Sequence, residues 1–378
     1  MGAGAEVVII GGGIIGTSVA YHLALRGCTD VILLEREFIG YGATGRSAGM
    51  IMHQTGLEPT TPLAQLSIRA YRALNGQSGP GSIGLHQTGS ILFATDDEAA
   101  ERLRAQIQMQ NRLGIETGML TGAELREALP SFVKSDHILV ASYCADDGYI
   151  DPYLASLEFA DQARDKGVQT RLHKGALRIV SDGDRITGVQ TEDGLIETRV
   201  VVNAAGSLAR EVAAWVGINL PIEHHVRNIA VFTPRRLVEQ FPIVEDIVTE
   251  FYFRPDGPNV LVGVGPETVV DDPPKTLAPD YDHRHDEALF DFLSERAPEL
   301  TEVPWRGGWA GVRALTPDRL PILGPVDDIH GLFNCCGFSG FGITLAPVIG
   351  RVTADLVIDG ATKEIDIEPF LLRRFPAA

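Results

Sequence analysis

Residues 6–35 read EVVIIGGGIIGTSVAYHLALRGCTDVILLE, and this stretch decides the fold. Val7, Val8, Ile9 and Ile10 form a contiguous β-branched run, which suits a strand buried on both faces of a parallel sheet. Gly11-Gly12-Gly13 follows at once. From Ile14 to Arg26 the spacing is helical, with Ile15, Val19, Leu23 and Ala24 on or near one face, and Gly27 is a helix terminator. Val31 to Leu34 repeats the buried-strand pattern and ends at Glu35. The result is a βαβ unit carrying Gly11-x-Gly13-x-x-Gly16, with an acid 19 residues past the last glycine. Gly11 permits the tight turn, Gly13 a close approach of pyrophosphate to backbone, and Gly16 close packing of helix on strand. The helix N-terminus offers free N–H groups to phosphate, and Glu35 can accept from a ribose diol.

Composition narrows the function further. A chain of 378 residues spans two or three domains, and its net charge of −18 repels nucleic-acid backbones. With 44% apolar and 22% charged residues it is an ordinary globular sequence. Cys28, Cys144, Cys335 and Cys336 have neither a disulfide-framework nor a zinc spacing, so a reducing compartment is expected and no metal. No apolar run is long enough to span a bilayer, and Met1–Gly4 lacks the basic start of a signal peptide. The expectation is a soluble, cytoplasmic protein.

Two further glycine clusters separate flavin from nicotinamide. Gly42-Ala43-Thr44-Gly45-Arg46-Ser47-Ala48-Gly49-Met50 is small and carries one cation, a composition that can wrap an extended cofactor. Near the other end, Gly337-Phe338-Ser339-Gly340-Phe341-Gly342-Ile343-Thr344 lies between the strand-like Leu332-Phe333-Asn334 and a helical stretch, Leu345 to Ile358. A cofactor touched by both ends of the chain is long, as FAD is. A plain nicotinamide dehydrogenase explains neither cluster.

These residues, with Val200-Val201-Val202-Asn203-Ala204-Ala205-Gly206, Trp309-Ala310-Gly311-Val312-Arg313, Thr316-Pro317-Asp318 and Pro321-Ile322-Leu323-Gly324, resemble the family of D-amino acid oxidases, glycine oxidase, monomeric sarcosine oxidase and the sarcosine oxidase β-subunit. The Gly42–Gly49 run and Phe251–Asp256 also resemble D-arginine dehydrogenase. The resemblance implies an α/β fold: a Rossmann-like FAD domain built from separated segments (1–85, 150–217 and 308–365) and an antiparallel-sheet substrate domain with flanking helices (86–149 and 218–307), then a tail, 366–378. Sequence signs agree. Tyr153 to Lys166 reads as a helix closed by Gly167, and Asp182-Gly183 as a turn before short strands over Thr187–Glu197. Stretches 84–95 and 218–264 alternate like half-buried antiparallel strands, with a hairpin at Asp256-Gly257. Asp97–Leu113 and His285–Arg296 read as helices, and Val269–Tyr281 as a loop.

The cofactor contacts so implied are Gly11, Gly13, Ile14, Ile15, Gly16, Glu35, Arg36, Thr44, Gly45, Arg46, Ser47, Ala48, Gly49, Met50, Ala176, Ala205, Gly206, Gly337, Gly340, Phe341, Gly342, Ile343 and Thr344. The expected reaction is hydride transfer from a small or N-substituted amino acid to the flavin, giving an imine that hydrolyses. The resemblance makes Arg313 the carboxylate clamp, with Tyr252 as a second contact to the same carboxylate. His53 follows the flavin loop and is a candidate to face the ring. His224 and His225 carry no assigned role.

Where relatives attach flavin through a histidine this chain has Arg46, and where monomeric sarcosine oxidase uses a cysteine it has Gly311, so non-covalent FAD is expected. Two lysines of sarcosine oxidase become Thr344 and Leu261, which leaves O2 or another electron acceptor open. Two alternatives stand beside this reading, a 2-hydroxy acid dehydrogenase with the same clamp and a flavin-bearing subunit of a multi-subunit amine oxidase or dehydrogenase; assembly as a homo-oligomer or with partner subunits is left open.

Overall fold

The computed structural model describes residues 3–235, 240–271 and 276–376. In chain order the elements that build the site are β1 (Val7–Ile10), α1 (Ile14–Leu25), β2 (Val31–Leu34), β3 (Ser90–Ala94), β4 (Val200–Asn203), β5 (Glu223–Phe232), β6 (Ile243–Asp246), β7 (Tyr252–Asp256), β8 (Asn259–Gly263), β9 (Trp305–Leu315), β10 (Ile329–Cys336) and α2 (Gly342–Asp359).

Two large sheets carry the molecule. In the ten-stranded sheet the order runs Ala3–Gly4, Gly194–Glu197, Arg185–Thr191, β10, β4, β1, β2, Gln169–Arg171. The central strands are parallel and in register, Val200 to Asn203 beside Val7 to Ile10, and Val7 to Ile10 beside Val31 to Leu34. Their continuous apolar sequences follow from burial on both faces, since all four residues of β1 and of β2 are buried. One main core lies between this sheet and the helices α1, α2 and Pro152–Asp165.

The nine-stranded sheet runs Thr268–Val270, β5, β8, β7, β6, β3, Val140–Cys144, Gly118–Leu120, with β9 paired to β5. A second core of phenylalanines, including Phe93, Phe232, Phe251 and Phe253, fills its other side against the Asp286–Arg296 helix.

Several expectations are corrected here. The segment from 308 belongs first to the nine-stranded sheet, because β9 pairs antiparallel with β5 along most of its length. The 84–95 region is not half-buried. Only Ser90–Ala94 is a strand, all five residues are buried, and it pairs antiparallel with Val140–Cys144 as expected but parallel with β6. The chain reaches β6 only after returning through the other sheet, so a direct hairpin was not available. Of the 269–281 loop, Val269 and Val270 pair with β5, and 272–275 lie outside the described residues. Residues 236–239 of the expected strand region lie outside them too. The 366–378 tail is packed over Phe370 and Leu371, which are buried, and 377–378 lie outside the described residues. Among the described residues no helix is long and apolar enough to cross a membrane.

Helices α1 and α2 pack at close range through Gly350, where a Cβ would lie 2.2 Å from Ser18 Oγ and 2.7 Å from His22 Nδ1. Gly350→Ala is therefore expected to lower stability by roughly 1–3 kcal/mol, the usual cost of overpacking. Urea denaturation of the flavin-loaded protein checks this, and an unchanged midpoint would contradict the packing.

Candidate functional site

Parallel strands send their carboxyl ends to one edge of the sheet, and ligands of such sheets bind in the crevice outside that edge. Here β1 ends in Gly11, β2 in Glu35, β4 in Ala204-Ala205-Gly206 and β10 in Gly337. The three glycine clusters, far apart in sequence, thereby line one cavity of about 740 Å³, within the range of about 300–1,000 Å³ usual for small-molecule sites.

The expected cofactor residues fall as follows. Gly11, Gly13, Ile14, Ile15, Glu35, Arg36, Thr44, Arg46, Ser47, Ala48, Gly49, Met50, Ala176, Ala205, Gly206, Gly337, Gly340, Phe341, Gly342, Ile343 and Thr344 all line the cavity. Gly16 and Gly45 lie behind the wall. A Cβ on Gly16 would sit 1.9 Å from Gly11 O, so its role is the helix–strand contact. Gly45 donates its N–H to Gly40 O at 2.8 Å and shapes the loop.

The cradle suits FAD. Gly11 takes φ +110°, and a Cβ there would meet Ala204 O at 2.4 Å, so only glycine makes this turn beneath the α1 N-terminus. Glu35 is held in place by the N–H groups of Gly12 (2.7 Å) and Glu37 (2.8 Å), which leaves each oxygen a further lone pair for a diol. Arg46 is turned inward upon its own loop: it donates to Tyr41 O and to Gly42 O (3.1 Å) and lies 4.9 Å over the Tyr41 ring.

The other half of the cavity is roofed by one face of the nine-stranded sheet. Alternation along β5 and β9, in the register His225–Arg313, Arg227–Gly311 and Ile229–Trp309, puts these six side-chain positions on one face. Arg227 and Arg313 both line the cavity. Arg313 donates through Nη1 to Glu267 and through Nη2 to Ser339 O at 2.9 Å. It is thus no free fork; a structural acid already holds part of it. Glu267 is shared, with His225 Nδ1 at 3.2 Å and Arg227 Nη1 at 3.7 Å. Burial, and next the Arg227 charge, lowers the Arg313 pKa from its ordinary value.

Tyr252 is buried at the cavity wall with Arg227 5.5 Å over its ring, and burial raises its pKa. Its ring lies across Gly263 on β8, where a Cβ would come within 1.9 Å of Cε1.

His53 is corrected. Met52 and Gln54 line the cavity, whereas His53 between them turns the other way. Its Nδ1 meets Asp147 Oδ1 at 2.7 Å, its N–H donates to the same oxygen, and Ser90 Oγ donates to Oδ2 at 2.6 Å. It anchors this loop to β3 and does not line the cavity. Cys144 Sγ lies 3.9 Å from the same His53 Nδ1, and burial raises its thiol pKa.

Sequence reading missed Arg227 and Glu245. A two-residue period through His225, Arg227 and Ile229 was the available signal for the first. For Glu245, the signal was an acid following the apolar pair Ile243-Val244 of a strand.

Residues 6–356 match the family described as DAO, FAD dependent oxidoreductase. The 4-methylaminobutanoate oxidase (formaldehyde-forming) of Paenarthrobacter nicotinovorans is 28% identical over 97% of this chain and 45% of its own length. The mitochondrial dimethylglycine dehydrogenase of Rattus norvegicus is 30% identical over 94% of this chain and 43% of its own. The chain thus spans less than half the length of these relatives. Among solved structures, L-proline dehydrogenase from P. horikoshii superposes with a TM-score of 0.92, at 28% identity, covering 99% of this chain and 98% of that one.

Gly263→Ala forces the Tyr252 ring off β8 without touching the glycine cradle. The expected result is an unchanged flavin-to-protein ratio and a rate of reduction by substrate lowered about tenfold or more, a barrier rise of roughly 1.4 kcal/mol. Absorbance and stopped-flow reduction read both quantities.

Proposed function

The chain belongs to the family of FAD dependent oxidoreductases, and on that premise we propose that it oxidises the carbon–nitrogen bond of a small, N-substituted amino acid. One observation carries this reading: two guanidiniums, Arg227 and Arg313, stand on adjacent strands at the cavity wall beside Tyr252. Such a pair selects a carboxylate. The names of the similar proteins support the other half. Methylaminobutanoate, dimethylglycine and proline each join a carboxylate to an alkylated nitrogen.

When bound, the flavin supplies the redox chemistry by accepting hydride from the carbon next to nitrogen. The chain's own residues do the rest. Arg227 and Arg313 jointly hold the carboxylate, with Glu267 offsetting part of their charge. Tyr252 closes that end of the cavity. The glycine cradle and Glu35 fix the nucleotide half, so that a substrate held by the roof meets a cofactor held by the floor.

We further propose that FAD is held without a covalent bond, since Arg46 and Gly311 stand where relatives use histidine and cysteine. The buried, unpaired Cys28, Cys144, Cys335 and Cys336 support a reducing compartment such as the cytoplasm. A 2-hydroxy acid would fit the same arginines, and the spectrum distinguishes it.

Anaerobic bleaching by N-methyl amino acids or proline, and not by 2-hydroxy acids, is expected; admission of air then reports whether O2 is the acceptor. The reverse pattern of bleaching would overturn the assignment. Arg313→Ala is expected to cost about 2–5 kcal/mol of kcat/KM, the usual loss when one partner of a desolvated charge pair is removed. A change under threefold would take Arg313 out of the role. Acid precipitation is expected to leave the yellow colour in the supernatant; colour in the pellet would mean a covalent bond.

A further inference from the structure

We propose that Glu245 is the cavity's receptor for the substrate's ammonium group and takes up the proton that the nitrogen must lose. This rests on the reading of the site as one that oxidises amines. Geometry carries it. Across β3, β6 and β7 the register aligns Leu92, Glu245 and Tyr252, and all three line the cavity. Glu245 is therefore on the substrate side of the roof, next to the tyrosine.

Its carboxylate is uncommitted. The other acids at this end are engaged: Glu267 by Arg313 and His225, and Glu250 by Arg227 at 3.6 Å. Among the described residues Glu245 has no hydrogen bond or ion pair, and it feels its neighbours only at longer range. An ionisable group facing a cavity without a partner is costly unless something that enters the cavity completes it. Glu267 and Glu250 already offset part of the charge of Arg227 and Arg313, and Glu245 forms no ion pair with either. What it lacks is a cation, and the amine of a zwitterion whose carboxylate lies on the arginines is one.

The surrounding charges fix its proton affinity. Burial acts first and raises it; Arg227 and Arg313 pull it down, while Glu250 and its strand neighbour Asp246 push it up. The carboxyl is pushed up to about 7. Tyr252 on β7, also buried, adds no charge near neutrality because its own pKa is raised. Gln54, Gln106 and Thr55 also line the cavity and carry no charge. A carboxylate in this range exchanges a proton near neutral pH. In the step itself an N–H bond of the ammonium breaks and an O–H bond of the carboxyl forms. The nitrogen keeps the electron pair, nothing is oxidised or reduced, and the proton later leaves to solvent. The neutral nitrogen is the form from which C–N oxidation proceeds.

The test uses flavin-loaded wild type and Glu245→Gln, an isosteric neutral replacement. Two ligands that cannot be oxidised through proton loss at nitrogen, trimethylglycine and its isostere without the cationic centre, 3,3-dimethylbutanoate, are titrated by flavin absorbance at a pH where Glu245 is ionised. Wild type is expected to favour the cationic ligand by about fivefold or more, close to 1 kcal/mol, and the variant to lose the preference. In parallel, the acid limb of anaerobic flavin reduction by an N-methyl amino acid lies near pH 7 in wild type and moves alkaline in the variant. A wild type without the preference, or a variant that keeps both preference and limb, overturns the role. If the glutamine variant does not hold flavin, Glu245→Ala decides the same point with the same ligands. If no amine reduces wild type, the proposed function fails while the ligand preference still decides Glu245.

Discussion

In-register parallel pairing of β1, β2 and β4, with β10 alongside β4, is the constraint on which the site depends. Strand side chains alternate between faces, so a slip of one residue would exchange the side chains packed on one face of the sheet for those packed on the other. It would also shift Gly11, Glu35, Ala205 and Gly337 along the edge where the cavity forms. Because β1 and β2 are buried on both faces, the apolar sequence that drives the sheet together also fixes where each carboxyl-end turn lies. The long loop closures between residues 10, 203 and 336 cost entropy, and the shared core offsets it.

The substrate end obeys a different rule. A chain of net charge −18 gathers two arginines on one sheet face, and the register of β5 on β9 makes them neighbours. Two guanidiniums side by side under low dielectric repel, and Glu267 sits between them and His225 to offset that repulsion. The same strand alternation brings Tyr252 and Glu245 to this face. Charge is thus placed in opposed pairs across the roof.

Legibility in the sequence divides along these lines. The βαβ unit was readable because its signals are local: contiguous Val and Ile, glycines at a turn, an acid at a strand end. The convergence of the three glycine clusters was readable from their shared turn chemistry and the resemblance, whereas no local signal pairs residue 203 with residue 10. Strand pairings between distant segments were not readable: neither the pairing of β9 with β5 nor the parallel pairing of β3 with β6 has a local signal. His53 failed for a related reason. Its partner Asp147 lies 94 residues away, and only the fold shows that a buried carboxylate claims the imidazole. Arg227 and Glu245 needed a register that a single strand's sequence does not contain.

The two rules meet at one seam. Trp309 Nε1 donates to Arg46 O at 3.0 Å, and a Cβ on Gly311 would lie 3.0 Å from Arg46 Cβ. The roof strand β9 therefore rests directly on the second glycine cluster, and Gly311 is where the two approach most closely. Position 311 has no room for a side chain because Arg46 occupies it from the other side. Arg46 in turn is tied to its own loop by Tyr41 O and Gly42 O. A larger side chain at 311 would have to displace Arg46, so the two positions are coupled across this seam.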